Sequence, residues 1–130
     1  MSERTATDVG VRPAVLVVDD DDAIRGVVRT VLEADGFQVV EAADGPAALL
    51  LLDSINGRGP ELVVLDIMMP GIDGIEVCRR IDHERVKVVM LSARDDAETR
   101  DRAEAAGADA YISKPFSAID LLDVVEGLSA

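Results

Sequence analysis

Three aspartates, a serine and a lysine stand at the ends of short apolar runs in this 130-residue chain, and their types suit the handling of a phosphoryl group. Val17 and Val18 lead into Asp19 and Asp20, Leu65 into Asp66, Leu91 into Ser92, and Ser113 into Lys114. If those runs are neighbouring strands, three carboxylates converge on one small volume. Two like charges about 4 Å apart repel by about 4 kcal/mol at an effective dielectric near 20, so such a cluster must raise a carboxylate pKa or recruit a cation. Oxygen-only ligands suit magnesium, which takes a few carboxylates, a carbonyl and several waters and shares itself with phosphoryl oxygens. An aspartate can accept a phosphoryl group, while a metal ion, a lysine and a hydroxyl stabilise charge on the transferring oxygens. Taken singly, each residue has a plainer role: Asp20 to Asp22 as helix-capping acids, Ser92 as a turn hydroxyl, Lys114 as a solvated charge, Asp66 as a capped turn before Pro70. Their joint placement at successive run ends favours the functional reading.

The elements that must position them follow from periodicity. Candidate strands are Ala14–Val18, Phe37–Glu41, Glu61–Asp66, Lys87–Leu91 and Ala110–Ser113, several rich in Val and Ile without polar alternation, as in strands buried on both faces. Between them lie helical stretches. The first runs from about Asp22 to Ala34, with Ile24, Val27, Val28, Val31 and Leu32 on its apolar stripe and Gly36 at its stop. Pro46 opens a second around Ala47–Ile55, and Asp73 caps a third around Gly74–Asp82. Asp95 or Asp96 caps a fourth reaching Ala106 before Gly107, and Ser117 a fifth reaching about Leu128. Five strand–helix units predict an α/β, doubly wound parallel sheet with helices on both faces. Strand order is not visible in the pattern. In the flavodoxin-like order 2-1-3-4-5, the first and third strands flank the switch-point crevice, and acids stand at both of their ends.

Composition limits the rest. The length fits one domain of common size and is too short for an added DNA-binding or catalytic one. Residues 1–13 are polar and aperiodic and read as a flexible lead-in to a domain over 14–130. A net charge of −13 repels nucleic acid and anionic membrane, so neither is an expected direct partner. Cys78 is the sole cysteine, which excludes an internal disulfide and points to a packing role. No leader of charged, apolar and small residues opens the chain and no apolar run nears ~20 residues, so a soluble, cytoplasmic protein is expected.

From Val15 to about Leu128 the chain closely resembles the receiver domain of two-component response regulators, in the motifs VLVVDDDD, VVLDIMMPGIDGIEV, VMLSA and GADAYISKPF. That resemblance implies a phosphoprotein switch rather than an enzyme, with Asp66 as phospho-acceptor. It makes Asp19 and Asp20 the acidic pair that holds Mg2+, for which Mn2+ can substitute, together with Asp66 and the backbone carbonyl of Met68. It gives Ser92 the contact to the transferred phosphoryl group, Lys114 the pairing with acid or phosphate, and Lys114–Pro115 a cis bond. Tyr111 matches the aromatic switch position that alters the surface of the fourth helix, fifth strand and fifth helix; a half-buried core aromatic is its plainer role, and it can be both. Expected partners are a histidine kinase or histidine phosphotransfer protein and a downstream protein or effector domain, and a phosphorylation-dependent homodimer stays open.

Two family-variable positions are Met68 and Arg94; Met68 offers no side chain to orient attacking water, which implies a long-lived phosphoryl group. Acids Asp120, Asp123 and Glu126 on the last helix replace the basic residues that pair receivers in winged-helix regulators, leaving Arg100 and Arg102 as the cations for any other symmetric contact. A haloacid dehalogenase-type phosphatase would need an acid where Met68 stands, and a flavin or nucleotide binder a glycine-rich loop where Asp19 to Asp22 stand. The stronger rival is a degenerate receiver acting as a phosphorylation-independent binding module. His83, the single histidine, falls in a charged turn read as solvated and not as a phosphoryl donor. A free-standing regulator and the receiver of a longer chain are equally compatible with the sequence.

Overall fold

Runs such as LVV and KVVM lack polar alternation because both faces of each strand are covered. In the computed structural model, which describes residues 14–53 and 59–129, the elements alternate strictly. They are β1 (Ala14–Val18), α1 (Asp22–Ala34), β2 (Gln38–Ala42), α2 (Gly45–Leu52), β3 (Leu62–Asp66), α3 (Gly74–Arg79), β4 (Lys87–Ser92), α4 (Ala97–Ala105), β5 (Ala110–Ser113) and α5 (Ala118–Ser129). All five strands are parallel in the order β2-β1-β3-β4-β5. The expected lead-in, Met1 to Pro13, lies outside the described residues.

Side chains alternate across the sheet with period two. Leu16, Val18, Val63, Leu65, Val88 and Met90 point to one face, where Ala48 and Leu52 of α2, Ile75, Val77 and Cys78 of α3 and Ala103 of α4 cover them. Val15, Val17, Leu62, Val64, Val89 and Leu91 point to the other, under Val28 and Leu32 of α1 and Leu121 and Val125 of α5. Each fully buried Leu or Val contributes about 1.5–3 kcal/mol, so the sheet is clamped from both sides. Rigidity there leaves the strand ends as fixed points for the loops.

Several boundaries differ from the sequence reading, each for a local reason. The second strand is displaced by one residue, because Phe37 is a buried plug after Gly36 (φ 92) and the ladder starts at Gln38. Helix α2 starts earlier, at Gly45, with the Asp44 carboxylate accepting from Ala47 N and Pro46 in the first turn. It stops at Leu52, and the remainder of its expected span, residues 54 and 55, lies outside the described residues. Helix α3 ends at Arg79 rather than Asp82, where Arg80 and Ile81 close back onto Val77 and Cys78 carbonyls. Asp96, not Asp95, caps α4, and Ser117 Oγ accepts from Asp120 N at the start of α5. Val27, placed on the apolar stripe, is exposed at its edge.

His83 is half-buried rather than simply solvated. Its Nε2 lies 2.7 Å from the Cys78 carbonyl and its ring covers Gly107 (φ 110) so closely that a Cβ there would sit 2.4 Å from the imidazole. Cys78 is buried and donates to the Ala106 carbonyl, and burial pushes its thiol pKa up to about 11, consistent with a packing role.

Candidate functional site

Adjacent parallel strands bring their C-terminal ends together. Val18 of β1 is in register with Leu65 of β3, so Asp19 and Asp66 emerge side by side, and Asp66 is in register with Leu91, one residue before Ser92. Lys114 directly follows β5 and precedes the cis Lys114–Pro115 bond, and its backbone N–H donates to the Ser92 carbonyl over 2.7 Å. The loop after β3 alternates as well: Ile67 and Met69 are buried, which turns Met68 outward at 55% exposure on the rim.

Asp19 and Asp66 are 1% and 4% exposed, whereas Asp20 is open to solvent. One oxygen from each of the three lies within 4.8 Å of the others. Lys114 Nζ donates to Asp19 Oδ2 at 3.1 Å and to Asp66 Oδ1 at 3.2 Å, and the Met68 N–H approaches that same Asp66 oxygen at 3.3 Å. Among the described residues, no protein donor reaches Asp66 Oδ2. Burial drives the Asp66 pKa up to about 6, with Asp19's charge adding to the rise and Lys114 and the Met68 N–H opposing it. For Lys114, burial pulls downward, but the Asp66 and Asp19 carboxylates outweigh it and hold the ammonium above its usual value. One lysine therefore offsets two buried acids incompletely, and the remaining deficit of positive charge fits a hard cation. All-oxygen donors and an exposed Asp20 fit magnesium in particular.

Lys114→Ala is expected to lower stability at pH 7 by about 2 kcal/mol, because it leaves buried carboxylates without their cation. Near pH 4.5 the loss should shrink, since Asp66 then carries its own proton. Urea unfolding of parent and variant at the two pH values measures the difference.

The other expected residues fall nearby. Ser92 is buried, and its Oγ accepts from Arg94 N at 3.0 Å. Tyr111 is half-buried; its hydroxyl donates to the Arg94 carbonyl, and the Arg100 guanidinium, paired with Asp95, lies 4.4 Å from its ring centroid. Arg100 is thus engaged within its own chain.

Two residues escaped the sequence reading. Arg25 Nη1 donates to the Asp19 carbonyl at 2.7 Å, while its Nε and Nη2 pair with Glu41 at 2.8 Å and Asp22 at 2.6 Å. The Asp22–Arg25 spacing of one helical turn was its only signal. Gly74 packs directly on the backbone of Asp66 and Ile67, a closeness that no pattern of residue types encodes.

Residues 15–126 match the family model described as the response regulator receiver domain. Among curated relatives, the phosphate regulon transcriptional regulatory protein PhoB of Rhizobium meliloti is 40% identical over 120 residues, covering 89% of this chain and 52% of that protein. Transcriptional regulatory protein CseB of Streptomyces coelicolor is 46% identical over 103 residues, covering 78% and 43%. The chain thus spans about half the length of the curated relatives it matches. Among solved structures, the receiver domain of Francisella response regulator 1452 superposes with a TM-score of 0.81 at 35% identity, over 91% of this chain and 97% of that one. Chemotaxis protein CheY4 of Vibrio cholerae gives 0.81 at 27% identity, over 90% and 98%.

Proposed function

Because this chain belongs to the receiver domains of two-component response regulators, we propose that it is a phospho-accepting switch whose acceptor is Asp66. The observation that carries the proposal is a buried carboxylate at a strand end, flanked by two further acids and contacted by Lys114. At pH 7 an acid with a pKa of about 6 is largely ionised and retains nucleophilicity that a more acidic carboxylate lacks. The donor is a phosphohistidine on a histidine kinase or histidine phosphotransfer protein. An Asp66 carboxylate oxygen bonds to phosphorus, the P–N bond breaks, and the imidazole nitrogen keeps the electron pair. Asp19, Asp20, Asp66 and the Met68 carbonyl would hold Mg2+, which supplies positive charge to the phosphoryl oxygens. Lys114, bonded to both Asp19 and Asp66, would share that task, and Ser92 would donate its hydroxyl to the group after transfer. Rotation of the Ser92 hydroxyl toward that group would pull its Oγ away from the Arg94 N–H and carry the change through Tyr111 to the surface of α4, β5 and α5, where a downstream protein or effector domain reads it.

Intact mass after incubation with acetyl phosphate tests this directly. A gain of one phosphoryl group is expected with Mg2+ and none with a chelator, and fragmentation should place the group on Asp66. No gain, together with no binding of beryllofluoride, would favour the phosphorylation-independent binding module instead. The complete set of Asp19, Asp20, Asp66, Ser92 and Lys114 argues against that rival.

Met68 sets the lifetime. Its exposed thioether cannot orient a water, so Met68→Asn, which supplies an amide at the same rim position, is expected to shed phosphoryl several-fold faster. Decay of the phosphorylated mass over time is the readout, and equal rates would remove Met68 from this role.

A further inference from the structure

Arg25 reaches back from the second turn of α1 to the end of β1 and grips a backbone oxygen there. Its three guanidinium contacts go to the Asp19 carbonyl, to Glu41 on β2 and to Asp22 at the head of α1. The Arg25 side chain is 15% exposed, and its contacts to the Asp19 carbonyl and Glu41 are part-buried, while the Asp22 end is open to water. Asp21 completes the ring: its N–H donates to Asp19 Oδ1 at 2.9 Å, its carboxylate caps Ala23 and Ile24, and its carbonyl accepts from the Arg25 N–H at 3.0 Å. A carbonyl held in place fixes the plane of its peptide. Here that peptide is Asp19–Asp20, so Arg25 sets the direction in which Asp20 leaves the backbone. Asp20 itself is exposed.

We propose that Arg25 is the positioning residue of the magnesium site, acting on Asp20 through the Asp19 carbonyl. The inference rests on the metal reading given above. It has a sign that separates it from simple electrostatics. Arg25 is a cation close to the acidic cluster, so removing its charge without any positioning effect would tighten Mg2+ binding. Loss of positioning does the opposite, because a ligand left to wander must be ordered at the moment of binding.

Titration calorimetry with MgCl2 on the unphosphorylated protein gives the readout. Arg25→Gln is expected to weaken Mg2+ about tenfold. Glu41→Gln removes the ion pair with β2 but leaves the Asp19 carbonyl contact, and should stay within about twofold of the parent while losing comparable stability in urea. Asp20→Asn tests the underlying reading by losing most of the binding. Arg25→Gln binding Mg2+ as well as the parent or better would overturn the inference and leave the metal site standing, as would Glu41→Gln weakening it equally. A parent that takes up no Mg2+ would overturn both.

Discussion

Asp66→Asn is expected to abolish phosphoryl uptake completely and, at the same time, to make the metal-free protein more stable at neutral pH. The two effects share a cause. Asp66 is buried beside Asp19, and its pKa rises from 3.8 to about 6. The folded protein therefore holds that proton more tightly than the unfolded chain does. Stability from this group is present at low pH and is lost as pH climbs from about 4 through about 6, and above that window the ionised form costs about 3 kcal/mol. Asparagine has the same outline and no charge, but Lys114 loses one of its two partners, so a net gain of about 1–2 kcal/mol is expected at pH 7. The gain should vanish near pH 4. Thermal unfolding of parent and variant across pH 4 to 8 in chelator, paired with the mass assay, measures both halves. A variant less stable than the parent at pH 7 would mean that the Lys114 contact outweighs the burial of charge.

Gly74→Ala should cause the largest loss of stability of any single-methyl change near the site. A Cβ at Gly74 would lie 2.2 Å from the Asp66 carbonyl oxygen, 2.8 Å from Ile67 Cα and 2.9 Å from the Asp66 carbonyl carbon. All three are backbone atoms, so no side-chain rotation relieves the overlap. Relief requires α3 to move away from the sheet or the end of β3 to bend, at a cost of about 3–4 kcal/mol against a total stability of about 5–15. The hydrogen bond from Gly74 N to Ile67 O, now 2.9 Å, would stretch with it. Gly26→Ala in α1 is the matched control: nothing lies within 4 Å of its Cβ, and an added methyl in a helix interior should stabilise by about 0.5–1 kcal/mol. Denaturant unfolding distinguishes them, and equal midpoints for Gly74→Ala and the parent would show that the loop yields freely.

Strand–helix alternation and the convergence of Asp19, Asp66, Ser92 and Lys114 were legible because each rests on short-range pattern: an apolar run, then a functional side chain at its end. Strand order was not, since parallel strands of similar composition carry no pairing code; the order 2-1-3-4-5 was that of the flavodoxin-like arrangement, and the sheet has it. What the residues alone concealed were contacts between a side chain and a distant backbone. Arg25 looks like a surface cation on an exposed helix face, yet it closes on Asp19 and Glu41. His83 sits in a charged turn and still packs over Gly107, because the end of α4 offers a glycine where any Cβ would collide. Burial decided by a neighbour's missing side chain leaves no trace in the local sequence.

Tyr111 lends the protein an optical property. The chain has one tyrosine and no tryptophan, so a single ring supplies its tyrosine chromophore, and that ring touches both the Arg94 carbonyl and the Arg100 guanidinium. Ultraviolet difference spectra on addition of beryllofluoride or acetyl phosphate thus read one known position without a label. The molecule carries its own dye on β5, beside the Arg94 carbonyl.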